Sequence, residues 1–210
     1  MSRPTAAARR HTVAVSLALA ALTCGLPPAP TAEAAGASLV PSAARASETP
    51  LPSKSEWLAD VNRAMRGSRI ALHARTGDSA VGRRLAVNLD IDNTSLASHY
   101  EWGAPVPVVL RFARYARRHG VLLLFNTGRQ RGDGRLLRAE RQLTAAGYRV
   151  TAVCGRRAGE ALAEGKQRCR RQFVRRGYTL IANVGNRSTD FVGGHYERAY
   201  RLPNYGNRLA

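Results

Sequence analysis

Two carboxylates two residues apart, Asp90 and Asp92, are the residues of this chain best placed to do chemistry. They close the apolar run Leu85-Ala86-Val87-Asn88-Leu89, which has the length and character of a buried strand, and Asn93 and Thr94 follow them. Side chains alternate along a strand, so an extended backbone through Ile91 points both carboxylates to the same side. Two like charges crowded at a strand end are costly unless a cation neutralises them or one keeps its proton. Either outcome is chemically useful. One carboxylate can bind a divalent metal and attack phosphorus, while the other gives a proton to a leaving oxygen. The same residues also fit an Asx-type turn, in which Asp92, Asn93 and Thr94 bond local backbone and start a loop.

The elements that must position this pair are read from apolar periodicity and glycine stops. Residues 54–66 place Trp57, Leu58, Val61, Ala64 and Met65 at helical spacing, with Ser53 or Ser55 to cap the start and Gly67 to end it. A short helix over 70–75 precedes Gly77-Asp78, which turns the chain into the first strand. Helices are predicted over 107–119, 134–146 and 166–176, ended by Gly120, Gly147 and Gly177, and strands over 121–125, 148–154 and 178–182. Four strands separated by helices imply an α/β fold, a Rossmann-like parallel sheet with helices on both faces. A small cap insertion follows the first strand and a helical segment precedes it.

In such sheets ligands bind beyond the carboxyl ends of the strands. The second strand ends in Asn126-Thr127-Gly128-Arg129 and the fourth in Asn183 to Asp190, through Gly185 and Asn186. Thr127 and Gly128 offer a hydroxyl and a close backbone amide to a phosphate oxygen, and Asp190 a third carboxylate for a metal. Lys166 begins the helix before the fourth strand. It is one of only two lysines in a chain whose other cations are Arg, which points to a need for a compact charge. The insertion between Ser95 and Pro105 carries His99, Tyr100, Glu101 and Trp102 and overhangs the strand ends, where aromatic rings either hold the organic part of a ligand or pack the loop. His195 and Tyr196, after the last motif, are expected at the surface.

Together these residues resemble the haloacid-dehalogenase-like phosphatase superfamily, and within it the secreted acid phosphatase and vegetative storage protein branch. The likeness spans roughly residues 85–203 with four motifs in order: Asp90-x-Asp92-x-Thr94, Thr127-Gly128-Arg129, Lys166, and the Gly-rich turn ending in Asp190. It implies Asp90 as nucleophile through an aspartyl-phosphate and Asp92 as the acid and then the base. By the same resemblance Thr127 and Lys166 hold and neutralise the phosphoryl group, Thr94 and Gly128 contact substrate, and Asp90, Asp92, Asn186 and Asp190 serve Mg2+. Tyr100 and Trp102 are candidate substrate contacts by their place in the insertion, and Arg129 either braces its loop or reaches the phosphate. One departure matters: the family's fourth motif usually reads Gly-Asp, and here Asn186 stands second. An amide oxygen ligates magnesium without the charge, so affinity falls. Some phosphatidate phosphatases of the superfamily also carry Gly-Asn-Arg-x-x-Asp. The alternative is a non-catalytic secreted binding or storage protein with a degenerate site.

Composition sets the setting. Arg3, Arg9 and Arg10 precede an apolar core near residues 13–22, a Pro-rich stretch and Ala32-Glu33-Ala34, the pattern of an export signal over 1–34. That core is shorter than the roughly 20 residues a membrane helix needs, and no later segment is a candidate span. Residues 35–53, rich in Ala, Ser and Pro, read as a flexible leader, and 54–210 as one domain with room for a core. The formal net charge of +19 favours anionic small molecules and is open to association with an anionic cell surface. Nucleic acid is disfavoured as a partner, since the arginines are dispersed and not interleaved with aromatic rings. Cys154 and Cys169 permit a disulfide in an exported chain or a buried thiol, and no Cys or His spacing suits a metal. The expected substrate is a small phosphomonoester, and the oligomeric state stays open.

Overall fold

The computed structural model describes residues 50–77 and 82–209. The signal expected over 1–34, most of the leader over 35–53 and the turn residue Asp78 lie outside the described residues. What is described begins with α1 (Lys54–Ala64) and α2 (Ser68–Arg75), then β1 (Arg84–Leu89), α3 (Pro107–Arg118), β2 (Leu122–Gln130), α4 (Arg135–Ala145), β3 (Ala152–Arg156), α5 (Leu162–Arg175), β4 (Tyr178–Gly185) and β5 (Ala199–Arg201). The strands form one parallel sheet in the order β3-β2-β1-β4-β5. Both faces are covered. Leu85, Val87 and Leu89 of β1, with Leu123, Phe125 and Ile181, pack in the larger core with residues of α1 to α4. The alternate residues Ala86, Leu124, Cys154 and Leu180 face Cys169 and Phe173 of α5. This is the expected three-layer α/β arrangement, and it brings the strand ends that carry the polar motifs to one edge.

Several boundaries differ from expectation, each for a physical reason. A fifth strand, β5, was not legible because three residues carry no alternation to read. The third strand begins at Ala152 and not at Tyr148. Tyr148 is buried against Phe125, with ring centroids 5.6 Å apart, and donates its hydroxyl to the Ser95 carbonyl at 2.8 Å. A phenol inside a core needs such a partner, and reaching it takes the chain out of the sheet. α5 starts one turn before Lys166, because Gly165, a residue that ordinarily ends helices, here lies inside one. A Cβ at that position would lie 3.0 Å from Arg156 Cγ and Glu160 Oε2, so those two side chains pack closely on the helix at this glycine. The second and fourth strands run on to Gln130 and Gly185, so Thr127, Gly128 and Arg129 sit on sheet and not on loop.

α1 is capped as expected: Ser53 Oγ accepts the Glu56 amide and the Glu56 carboxylate accepts the Ser53 amide, a capping box. The cap insertion does not reach wholly over the strand ends. Tyr100 stacks on buried Trp57 at 4.9 Å and donates its hydroxyl to the Pro52 carbonyl at 2.8 Å, tying the insertion to α1. Tyr196, expected at the surface, is half-buried, its hydroxyl on the Phe191 carbonyl at 3.1 Å and its ring facing Arg170. His195 is exposed, as expected.

Cys154 and Cys169 are joined in a disulfide between β3 and α5, across 15 residues of sequence. Cross-linking a loop of that size removes denatured-state freedom worth about 3 kcal/mol. Cys169 lies three residues after Lys166, so the bond also pins the helix turn that carries the lysine. The double variant Cys154→Ser/Cys169→Ser is therefore expected to lose about 3 kcal/mol of unfolding free energy in urea; an unchanged midpoint would show that the link adds nothing.

Candidate active site

The backbone after β1 turns at once. The Ile91 carbonyl accepts the amides of Ser95 and Leu96 at 2.9 and 2.8 Å, and Ser95 Oγ donates to the Asp90 carbonyl at 2.6 Å. Extended geometry thus ends at Asp90, and a turn rather than the strand pleat brings Asp92 to the same side. The chain turns here, but Asp92 and Thr94 bond other side chains and not local backbone as an Asx-type turn would have them do. Asn93 takes a left-handed conformation (φ 53°), accepts the His99 amide at 2.8 Å and donates to the Leu209 carbonyl at 3.2 Å. Asp90 and Asp92 line a cavity of about 320 Å3 together with Gly128, Arg129 and Lys166.

Lys166 organises the floor of that cavity. Its ammonium, 3 % exposed, pairs with the Asp90 carboxylate, reaches Asp190 Oδ1 at 2.6 Å and donates to the Asn126 carbonyl at 2.7 Å. Three donors on a compact head suit three acceptors from three strand ends, which a planar guanidinium would not. Asn126 returns the contact, donating to the Lys166 carbonyl at 2.8 Å. Burial raises the Asp90 pKa, Lys166 pulls it back and Asp190 pushes it up again, leaving it raised to about 7. Burial alone would lower Lys166, but the two carboxylates outweigh it and its pKa is raised. Thr94, expected to touch substrate, instead donates to Asp90 Oδ2 at 3.1 Å and orients that carboxylate.

Asp92 has a different environment. Burial raises its pKa, but Arg129 Nε and a terminal nitrogen donate to its two oxygens at 2.9 and 2.7 Å and Ser98 Oγ donates at 2.7 Å, so the result is lowered. Arg129 is a clamp on Asp92 and is itself held by Gln142 Oε1 at 2.7 Å. Thr127, buried beside it, accepts the Arg129 amide at 3.1 Å, which leaves its own hydroxyl hydrogen free to donate. Gly128 is needed for packing as well as for ligand approach, since a Cβ there would meet Leu162 Cδ1 at 2.7 Å.

The fourth motif folds back under β4. Asp190 Oδ2 accepts the Arg187 amide at 2.9 Å, and its backbone carbonyl accepts Asn183 at 3.0 Å and Arg170 at 2.6 Å. Gly185 makes room for it: a Cβ there would lie 2.6 Å from the Asp190 Cβ. Arg170, wholly buried, also bonds the carbonyls of Val192 and Gly194 and so fixes the returning loop. Asp190 is thus a partner of Lys166 more than a direct metal ligand. Asn186 is buried, its Nδ2 donating to Asn204 at 3.4 Å, while its Oδ1 has no hydrogen-bond partner among the described residues.

Of the residues expected here, Asp90, Asp92, Thr127, Gly128, Arg129, Lys166, Asn186 and Asp190 converge on these strand ends. Tyr100 does not; its ring is committed to Trp57, a partner more than forty residues away that local spacing does not reveal. Trp102 is 72 % exposed, with the Arg129 guanidinium 5.9 Å from its ring centroid, which places it at the rim. Missed from sequence were Asn93, Arg156, Leu162, Arg187 and Leu209, which complete the cavity wall. Asn93 and Arg187 carried a signal, since they lie inside the first and fourth motifs.

Comparison with known families gives one match: the family described as HAD superfamily, subfamily IIIB (Acid phosphatase) covers residues 99–208. A search of curated proteins finds no match. The matched span begins after Asp92, so the two leading carboxylates are placed by the geometry above.

Removing Lys166 strands two carboxylates in the interior, a change that typically costs 3–5 kcal/mol, so Lys166→Met is expected to lose about that much unfolding free energy at neutral pH. The loss should shrink as pH falls, because Asp90, its pKa raised by burial, then takes up a proton. Equal destabilisation at pH 4 and pH 7 in urea titrations would contradict the pairing.

Proposed function

Since the chain belongs to HAD superfamily subfamily IIIB, the acid phosphatases, we propose that it is an exported phosphomonoesterase that works through an aspartyl-phosphate on Asp90. The observation that carries this reading is the buried carboxylate of Asp90, held by Lys166 and Thr94 and opening on a cavity it shares with Asp92. An Asp90 oxygen attacks phosphorus, the ester P–O bond breaks, and the leaving oxygen takes a proton from Asp92. Water then attacks phosphorus of the aspartyl-phosphate while Asp92 takes its proton, the P–O bond to Asp90 breaks, and phosphate leaves with the Asp90 carboxylate restored. Thr127 donates to a phosphoryl oxygen, and Lys166 balances the charge that builds on the transferring group.

Phosphatases of this superfamily generally use Mg2+. Among the described residues no three His, Cys, Asp or Glu side chains are grouped to hold a metal ion. The donors present nonetheless fit magnesium, because the unpartnered, buried Asn186 Oδ1 is a hard oxygen beside the Asp90 strand end. Asp90, Asn186 and the Asp92 carbonyl would hold the ion, which when bound screens charge on the phosphate. With one carboxylate where two are usual, affinity is expected to be modest. That same Asn186 is what favours the second reading, a secreted binding or storage protein with a decayed site.

Export is part of the proposal. The apolar N-terminal segment supports it, as does the disulfide, which forms and persists in oxidising compartments. No helix of the described residues is long and apolar enough to cross a membrane. A basic chain of this kind also suits attraction to anionic surfaces, and its loss at raised salt would mark that attraction as electrostatic.

Hydrolysis of an aryl phosphate by purified residues 35–210 with Mg2+ is the first test. Asp90→Asn is expected to reduce turnover to background with the fold intact, and undiminished turnover in that variant would exclude Asp90 as nucleophile. A second expectation concerns pH. Arg129 holds Asp92 below its ordinary range, so the protonated acid is lost early as pH rises and this loss sets the alkaline limb of the kcat profile. In Arg129→Gln the Asp92 pKa rises, and the alkaline limb of the kcat profile should move to higher pH; a limb that stays put would remove Asp92 as the acid.

A further inference from the structure

Four cations line the cavity that holds Asp90, and their charges are not equally spent. Lys166 is neutralised by Asp90 and Asp190, and Arg129 by Asp92. Arg156 and Arg187 are different. The Arg156 guanidinium donates to the carbonyls of Gly128 at 3.3 Å and Glu160 at 2.9 Å, which orient it without cancelling its charge. The nearby Glu160 carboxylate is committed to Arg168, at 2.7 and 2.9 Å. The Arg187 side chain makes no ion pair with any acidic side chain among the described residues, and it is half-buried at the cavity wall. Both residues therefore bring uncompensated positive charge into a half-enclosed space, where it is poorly screened.

Their positions say what that charge is for. Arg156 ends β3 and Arg187 follows β4, while Asp90 and Thr127 stand on the two strands between them. At about 4.8 Å per strand, β3 and β4 are roughly 14 Å apart, a gap two arginine side chains can span, and both line the one cavity between them. The phosphoryl position is already served by Lys166 and Thr127. Leu162 and Leu209 supply the apolar wall, and among the described residues no pair of aromatic rings faces across the cavity to sandwich a flat base: Tyr100 is on Trp57, and Trp102 lies exposed at the rim.

We infer that Arg156 and Arg187 form a second anion subsite, and that the substrates this cavity selects are small, non-aromatic phosphomonoesters carrying a further carboxylate or phosphate. The inference rests on the phosphatase reading of the same site and names its substrate class. A charge-assisted hydrogen bond from either Arg to the second anion is worth about tenfold or more in affinity.

A matched pair of probes isolates the effect. D-3-phosphoglycerate and glycerol 3-phosphate share a three-carbon skeleton and a terminal phosphate, and differ in having a carboxylate or a hydroxymethyl group at the far end. Wild-type enzyme with Mg2+ is expected to favour the phosphoglycerate by about tenfold in kcat/KM, and Arg156→Gln or Arg187→Gln to erase most of that ratio. Arg171→Gln, which removes the same charge from the exposed part of α5, should leave the ratio in place. Equal kcat/KM values in the wild type would overturn the subsite, as would a preference that survives both cavity variants or that Arg171→Gln abolishes equally. Calorimetric binding of the two compounds to Asp90→Asn separates this from the phosphatase reading. A tighter Kd for phosphoglycerate there supports the subsite even if neither compound is turned over by the wild type, and equal Kd values reject it even if both are.

Discussion

A single ammonium group holds this structure's polar centre together. Lys166 is buried between Asp90, at the end of β1, and Asp190, in the turn after β4, and it also bonds the Asn126 carbonyl of β2. None of these charges would be tolerable there alone, because an unpaired carboxylate or ammonium in the interior costs several kcal/mol. The two acids need the lysine, and the lysine needs the helix that carries it. α5 must therefore dock in one register along the sheet face formed by Ala86, Leu124, Cys154 and Leu180.

Much of the surrounding architecture can be understood as enforcing that register. The disulfide to β3 lies within one turn of Lys166, and Asn126 grips the lysine's backbone as well as its side chain's neighbour. Asn88 donates to Asn183, and Asn183 to the Asp190 carbonyl, so a chain of buried amides runs beneath the strand ends. Arg170, one turn further along α5, closes the loop from Asp190 to Gly194. Gly185 stands where this centre requires backbone and carboxylate to approach closely, since a Cβ there would meet Asp190.

How much of this was legible in the sequence depended on distance along the chain. The layer order, the strand ends and the four motifs were readable because each is a local signal: an apolar run, a glycine stop, a carboxylate at a set spacing. The direction of Tyr100 was not, since it is decided by Trp57, a residue on another element. Nor was the clamp of Arg129 on Asp92, which turns a residue expected to meet phosphate into one that sets the charge of the acid. Gly165 misled for a related reason, as its helix-ending habit is overridden by contact with β3. Arg156, Leu162 and Leu209 carry no motif and become wall residues through topology alone. The cysteines could pair or not until β3 and α5 were seen to lie side by side.

The account places two carboxylates of opposite character in one cavity: Asp90, raised by burial and held by an ammonium, and Asp92, lowered by a guanidinium fork. Its central claim is that Asp90 accepts the phosphoryl group. Acid quench during turnover, borohydride reduction of any acyl phosphate and mass analysis of the tryptic peptide over residues 85–111 tests this most directly. The account requires the reduced product at Asp90 and at no other residue. Turnover accompanied by no trapped species, or by a label on Asp92, would contradict it.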